Sequence, residues 1–377
     1  MTTITPGFRI AHAGGGGAGW EALVDSCLSQ LGAAQDASLG FVYVTDILGE
    51  SIEPILARLK DATGVADWTG TVGFGVCVGG REYFDTAAIA VLVCALPADS
   101  HRLLPLIREP GEPLPAEIAQ WVASRRPMLG VVHGDPRNPY LADIIHALCD
   151  DIDCFLVGGL SASRGRSFQI AGDIHEGGLS GVLLAGDVAA TTGLSQGCSP
   201  IGEVHEVTDA RDNVVFKLDG RPALDVFKED IGEVLARNLE RVGGYIHAAL
   251  PIAGSDSADY LVRNVMGIDP HNGWLSIGDR LSPGDRLMFV RRDGPSAFID
   301  LQRMLGDVAR RAGDSPRAGL YFSCVARGPN LFGRKSEELT EVAEKIGRDV
   351  PLVGFFANGE ISNNRLYGYT GVLTLLG

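Results

Sequence analysis

LGFVYVTDILGESIEPILARLK, residues 39–60, couples an apolar run to an amphipathic helix, and copies of that pairing organise the rest of the chain. LGFVYVT (Leu39–Thr45) has the length and composition of a buried strand. Beyond it Ile52, Ile55, Leu56 and Leu59 fall at i, i+3, i+4 and i+7, which puts one apolar stripe on a helix. Two more strands are expected, at 71–74 and 87–96. The second, AAIAVLVCAL, is apolar throughout and must be covered on both faces.

The same order recurs downstream. MLGVVH (128–133) leads into a helix in which Asn138 can cap, Pro139 fits the first turn, and Leu141, Ile144, Ile145 and Leu148 repeat the spacing. Strands at 154–158 and 179–185 follow. Near the C-terminus GLYFSCV (319–325) precedes a helix capped by Ser336 with Leu339, Val342, Ala343 and Ile346 on one face, then strands at 351–356 and 371–376. A degenerate fourth copy is expected at 245–290, lacking a full helix. Further helices are expected at 116–126, 222–239 and 297–311. The fold class that follows is α/β, with internally duplicated layered sheets covered by helices and built from repeated β-α-β-β units, arranged two and two. The seam is expected in 186–220, which holds a hairpin at 204–208 and 214–218, giving an N-terminal domain at 1–206 and a C-terminal domain at 207–377.

The 377 residues suit two domains. Forty-seven acidic against 32 basic residues give a net charge of -15, which disfavours nucleic acid and anionic membranes as partners. The N-terminus has no apolar core of signal-peptide length, and no later run reaches the length of a membrane span, so a cytoplasmic location is expected. Seven cysteines, an odd number, read as reduced thiols.

Motifs of known chemistry mostly fail on context. The glycine run at 14–17 has no preceding strand and no closing Gly-Lys-Ser/Thr, so it reads as an entry loop instead of a phosphate loop. Gly73-Phe74-Gly75 is followed by a turn and a strand where a dinucleotide site needs a helix. Gly193-Leu194-Ser195-Gln196-Gly197 matches a nucleophile elbow, with His247 and His271 downstream. Cys198-Ser199-Pro200 after it cannot start the helix that the elbow requires. A hydrolase using Ser195, Cys198 or Cys324 is therefore the alternative reading, Arg327 being a neighbour able to lower the Cys324 thiol. The scattered histidines offer no zinc spacing, and no metal or cofactor is expected.

Turns after the apolar strands carry more information. Gly158-Gly159-Leu160-Ser161-Ala162-Ser163 and Ala357-Asn358-Gly359-Glu360 combine small residues with hydrogen-bonding groups where strands end, the usual place for a pocket in layered α/β proteins. Asn358-Gly359 equally suits a tight turn. Arg263-Asn264 interrupts an apolar segment, where a guanidinium suits a ligand carboxylate or an aspartate such as Asp269.

These stretches resemble the FIST family. The resemblance rests on LGFVYVTD, the Gly-Gly-Leu-Ser-Ala-Ser turn and GLSQGCSPIG in the N-terminal part. In the C-terminal part it rests on LDGRPAL (218–224), YLVRN (260–264) and LVGFFANGEI (352–361). It implies a sensory domain for small ligands such as amino acids, with no fused output segment here and a separate signalling protein as partner. A pocket is expected from Ser161, Ser163, Ser195, Gln196, Cys198, Ser199, Arg263, Asn264, Asn358 and Glu360, with Arg263 taking a carboxylate and Glu360 an amino group. Relatives that sense gas through haem make His175, His205 or His247 alternative ligands.

Overall fold

The computed structural model describes residues 7–15, 17–34, 36–252, 260–313 and 316–377. The chain forms two compact units, one of Met1–Ser195 with Leu301–Gly377, the other of Gln196–Asp300.

The first unit holds three copies of one motif, each with six strands and two helices. Copy one contains β1 (Phe8–Gly14), α1 (Trp20–Leu31), β2 (Leu39–Thr45), α2 (Ile52–Thr63), β3 (Asp67–Gly73), β4 (Gly75–Val78), β5 (Arg81–Phe84) and β6 (Ala88–Cys94). Copy two contains β7 (His101–Ile107), α3 (Ala116–Arg125), β8 (Leu129–Gly134), α4 (Leu141–Ile152), β9 (Phe155–Leu160), β10 (Gln169–Ala171), β11 (Asp173–His175) and β12 (Leu179–Leu184). Copy three opens with β13 (Ala190–Gln196) and resumes after the second unit with α5 (Gly294–Ala312) and β14 (Ala318–Cys324). It ends with α6 (Glu337–Ile346), β15 (Leu352–Ala357), β16 (Glu360–Ser362), β17 (Arg365–Tyr367) and β18 (Thr370–Leu376).

Each copy donates its hairpin to the sheet of the preceding copy, that of copy one going to the third. The three six-stranded sheets run β1-β6-β2-β3-β10-β11, β7-β12-β8-β9-β16-β17 and β13-β18-β14-β15-β4-β5, so the exchange is cyclic. In every copy the two central strands are parallel, joined by a crossover helix, and flanked by an antiparallel third strand.

Alternation along the strands divides the core. Leu39, Phe41 and Tyr43 of β2, Leu129 and Val131 of β8, and Leu320 and Phe322 of β14 point into one shared cluster between the sheets. The intervening residues point outward, where each sheet is roofed by its own pair of helices in a separate cluster. That two-sided burial is why the strands read as continuous apolar runs. The parallel pairs are so close that a side chain at Gly70, Gly158 or Gly354 would place Cβ 1.8, 1.9 or 1.7 Å from the carbonyl oxygen of Val42, Val132 or Tyr321. One glycine per copy, at the same register position, is thus a requirement of the motif.

The second unit is a seven-stranded antiparallel sheet in the order Cys198–Arg211, Arg286–Arg292, Ile246–Pro251, Tyr260–Asp269, Trp274–Ile277, Val214–Leu218, Arg221–Pro222. Its first strand also pairs with Val214–Leu218, closing the sheet on itself. The helix Ala223–Ile231 buries Leu224, Phe227 and Ile231 in its core.

The α/β class and the repeated β-α-β-β unit are present as expected, with three differences. The unit occurs three times, and 245–290 belongs to the antiparallel unit, having no crossover helix to make its strands parallel. The helix expected over 222–239 breaks at Gly232, whose backbone is left-handed, leaving Val234 85% exposed. Ser336 stands at the α6 N-cap, but its hydroxyl accepts the Glu82 N–H instead of a helix amide. All seven cysteines are buried and no disulfide joins them. No helix among the described residues is long and apolar enough to cross a membrane.

Candidate functional site

The carboxyl ends of β14 and β15 face the first turn of α6, the crevice geometry in which α/β sheets usually hold ligands. Directly beneath it lies a fully buried ion pair. Arg327, in the turn after β14, donates from Nε to Glu338 Oε1 at 2.8 Å, and its Nη2 lies 2.7 Å from the same oxygen. Tyr321 Oη donates to Glu338 Oε1 at 2.7 Å, Ser323 Oγ donates to Oε2 at 3.1 Å, and the Gly328 N–H donates to Oε2 at 2.9 Å. Burial opposes the Arg327 charge, but the adjacent Glu338 carboxylate more than offsets it and the guanidinium pKa rises. With every lone pair engaged, this pair locks the turn in place.

Two further glutamates surround the lock, and both carry strained protonation. Glu360 on β16 is fully buried, and its Oε2 accepts from Thr370 N at 3.1 Å and Thr370 Oγ1 at 2.7 Å, whereas its Oε1 has no hydrogen-bond partner. Burial pushes its pKa up to about 8, so at neutral pH it is mostly the neutral acid. Glu82 on β5 accepts from the Leu339 N–H with Oε1 at 3.3 Å, while Oε2 is buried without a partner. Burial and the nearby Glu338 carboxylate push Glu82 to about 8 as well.

Glu82 opens onto a crevice of about 340 Å³ lined also by Phe84, Asp85, Pro329, Asn330, Arg334 and Ser336. Arg334 makes no ion pair among the described residues, and Asp85 meets Arg164, whose guanidinium lies over the Phe74 ring. One wall is the hairpin that copy one donates to the third sheet. The crevice therefore offers carboxyl groups, a cation and an aromatic ring within one small volume. Among the described residues no group of three or more His, Cys, Asp or Glu side chains could hold a metal ion.

Comparison with known proteins decides the family. The FIST N domain pattern matches residues 38–221 and the FIST C domain pattern matches residues 223–363. The chain belongs to the FIST family. FIST domains are sensory domains of signal transduction. This FIST protein is 31% identical over 339 residues to the uncharacterized protein Rv0628c of Mycobacterium tuberculosis, covering 85% of this chain and 86% of that one. It is 30% identical over 211 residues to the uncharacterized protein Mb0898c of Mycobacterium bovis, covering 54% of each.

The FIST sequence motifs are distributed as follows. The Ser161 and Glu360 turns meet: Leu160 N donates to Gly359 O at 2.8 Å, Asn358 N donates to Leu160 O at 3.0 Å, and Glu360 is registered against Gly159. Ser161 itself is buried, its hydroxyl 2.7 Å from Thr71 Oγ1 and accepting from Gln169 Nε2 at 2.8 Å, which makes it a staple between copies. Ser163 accepts the Gly165 N–H at its own bend, and the Asn358 side chain is exposed. Ser195 is buried on β13 with Oγ 3.4 Å from Arg327 Nη2, so the Gly-x-Ser-x-Gly run lies along a strand without the turn and helix of a nucleophile elbow.

In the second unit the Gln196 N–H donates to Asp300 Oδ2 at 2.7 Å, the Cys198 carbonyl accepts from Tyr260 Oη, and Ser199 Oγ lies 3.5 Å from the Arg291 carbonyl oxygen. Asn264 is exposed on the strand beside Arg263. Arg263 pairs with Asp279 at 2.8 Å, not with Asp269, whose carboxylate caps the turn at 271–272. Burial raises the thiol pKa of Cys324. Of the histidines weighed for haem, His205 has both nitrogens on carboxylates, Asp219 at 2.6 Å and Asp230 at 2.9 Å. His247 is buried, and His175 Nε2 sits 3.4 Å from the Ala171 carbonyl oxygen.

Glu82, Arg327, Glu338 and Arg334 were not singled out as ligand contacts by sequence reasoning. Glu338 did carry a signal. It stands four residues before Val342 and eight before Ile346, on the apolar stripe of α6, where a charged residue demands a buried partner.

Proposed function

We propose that this FIST protein senses a small amino-acid-like zwitterion in the crevice at the end of β14 and β15, acts in the cytoplasm, and passes the signal to a separate partner protein. The supporting observation is Glu82 Oε2, buried and unpartnered in a crevice that also contains the unpaired Arg334. A ligand ammonium beside Glu82 relieves the cost of that orphaned oxygen, and Arg334 takes the carboxylate as a planar donor pair. Phe84 and Pro329 supply an apolar wall for the ligand side chain.

A native-state ligand must raise the melting temperature by mass action, about 2.7 kcal/mol of stabilisation at a hundredfold excess over Kd. Thermal-shift screening against an amino-acid panel is expected to find at least one stabiliser whose effect disappears in Glu82→Gln and in Arg334→Ala. A panel with no stabiliser, or stabilisation that survives both substitutions, rejects this ligand class at this site.

A further inference from the structure

A second cavity, separate from the crevice at the strand ends, gathers basic side chains. It measures about 330 Å³ and lies among β1, α1, the β4–β5 turn and the turn that precedes β15. Arg81, Arg348 and His12 line it, and Asp349 is the one carboxylate among the lining residues. In a chain with 47 acidic and 32 basic residues, this cavity sets two guanidiniums against one carboxylate, and burial and Arg81 lower the His12 pKa, so the imidazole serves as a neutral hydrogen-bonding group.

His12 has its backbone tied on both sides to Gln30, with N to Oε1 at 3.2 Å and O to Nε2 at 2.7 Å. Its Nδ1 lies 2.9 Å from Tyr83 Oη, which leaves Nε2 as the ring nitrogen available to a ligand. Arg81 makes no ion pair among the described residues, and Arg348 pairs only with the exposed Glu344 of its own helix end. Gly79, in the two-residue turn before Arg81, has a left-handed backbone and open space where a side chain would stand. Ile10, Val78, Val350 and Pro351 add apolar groups to the same lining.

We propose that this cavity binds a phosphate monoester carrying a small apolar group, its phosphoryl dianion held by Arg81, Arg348 and His12. Guanidiniums pair bidentately with phosphoryl oxygens, and the volume leaves room for an organic substituent against Ile10 and Val350. The proposal is independent of the amino-acid reading, since the two cavities share no lining residue.

Isothermal titration calorimetry at low ionic strength, with phenyl phosphate and inorganic phosphate as probes, tests it. Phenyl phosphate is expected to bind saturably and more tightly than inorganic phosphate. Arg81→Ala is expected to weaken it about tenfold or more, the scale of one lost charge-assisted contact. Arg348→Ala is expected to do the same to a smaller degree, and Arg125→Ala, a surface arginine paired elsewhere with Asp187, to leave binding unchanged. Because Arg81 is exposed, its substitution should leave the circular dichroism spectrum intact. Absence of saturable binding, or wild-type affinity in both Arg81→Ala and Arg348→Ala, overturns the site. Equal affinity for the two probes overturns the assignment of an organic substituent.

Discussion

His133 Nε2 stands 3.3 Å from Tyr43 Oη across the seam between two sheets, and the two residues occupy equivalent positions in β8 and β2. The third equivalent, Phe322 of β14, completes a ring with Phe355 stacked on Tyr43 at a centroid distance of 5.2 Å. The imidazole is thus inserted into an aromatic core, its Nδ1 buried without a partner. Burial drives its pKa down to about 3, so it folds as the neutral base.

That depression has a sign. Below its ordinary value of 6.5 the unfolded chain binds the proton and the folded chain does not, so stability falls as pH drops from about 6.5 toward 3. Urea titrations across that range are expected to show a steeper acid loss for the native chain than for His133→Phe, the difference approaching about 1.4 kcal/mol per pH unit. Parallel curves would refute the assignment.

Glu360 bends the profile in the opposite direction. Its folded pKa is raised to about 8, so its neutral form favours folding at low pH and that contribution is lost as pH rises from about 4.5 to 8. Glu360→Gln keeps the shape without the titration. The stability difference between native and variant proteins should therefore shift against the native chain over that window, measured by chemical denaturation at each pH.

The Arg327–Glu338 pair is expected to behave as a unit. Removing one partner in Glu338→Ala leaves a buried uncompensated guanidinium and should cost about 3–5 kcal/mol. Arg327→Met with Glu338→Leu should recover much of that loss. A double-mutant cycle by urea unfolding reads the coupling, and additive losses would show that the residues act independently.

His205 is clamped between Asp219 and Asp230, and although burial opposes the charge, the two carboxylates together raise its pKa. Its contribution to the second unit is fully present below 6.5 and fades as pH climbs through the raised value. Asp230→Asn is expected to bring the imidazole titration, followed by proton NMR, to lower pH. An unmoved titration would mean that Asp230 does not hold the ring.

Gly158 tests the repeat itself. Its φ of +141° and a virtual Cβ 1.9 Å from Val132 O leave no room for a methyl group. Gly158→Ala is expected to destabilise the protein by more than about 3 kcal/mol, combining backbone strain with steric clash. Gly15→Ala, at another left-handed glycine with open space around it, should cost much less.

Much of the first unit could be read from residue order alone. Runs such as Leu39–Thr45 and the i, i+4 stripes of α2, α4 and α6 reflect local burial demands, and the run forms β2 while each stripe lies on its helix. The turns at Ser161 and Glu360 were recognisable because small residues at strand ends have a distinctive composition. Their direct hydrogen bonding was not, since β9 and β16 are brought together by a hairpin exchanged between copies.

The chain order of hydrophobic and small residues by itself determined strands, helices and the repeating unit, because these depend on the period of burial along a single segment. Tertiary structure alone decided that three copies close a cycle, that 196–300 forms its own compact unit, and that Arg327, Glu338, Glu82 and Arg334 gather at one strand end. Those residues are up to 256 positions apart, from Glu82 to Glu338, and the protonation of a buried carboxyl is set by whatever surrounds it in space.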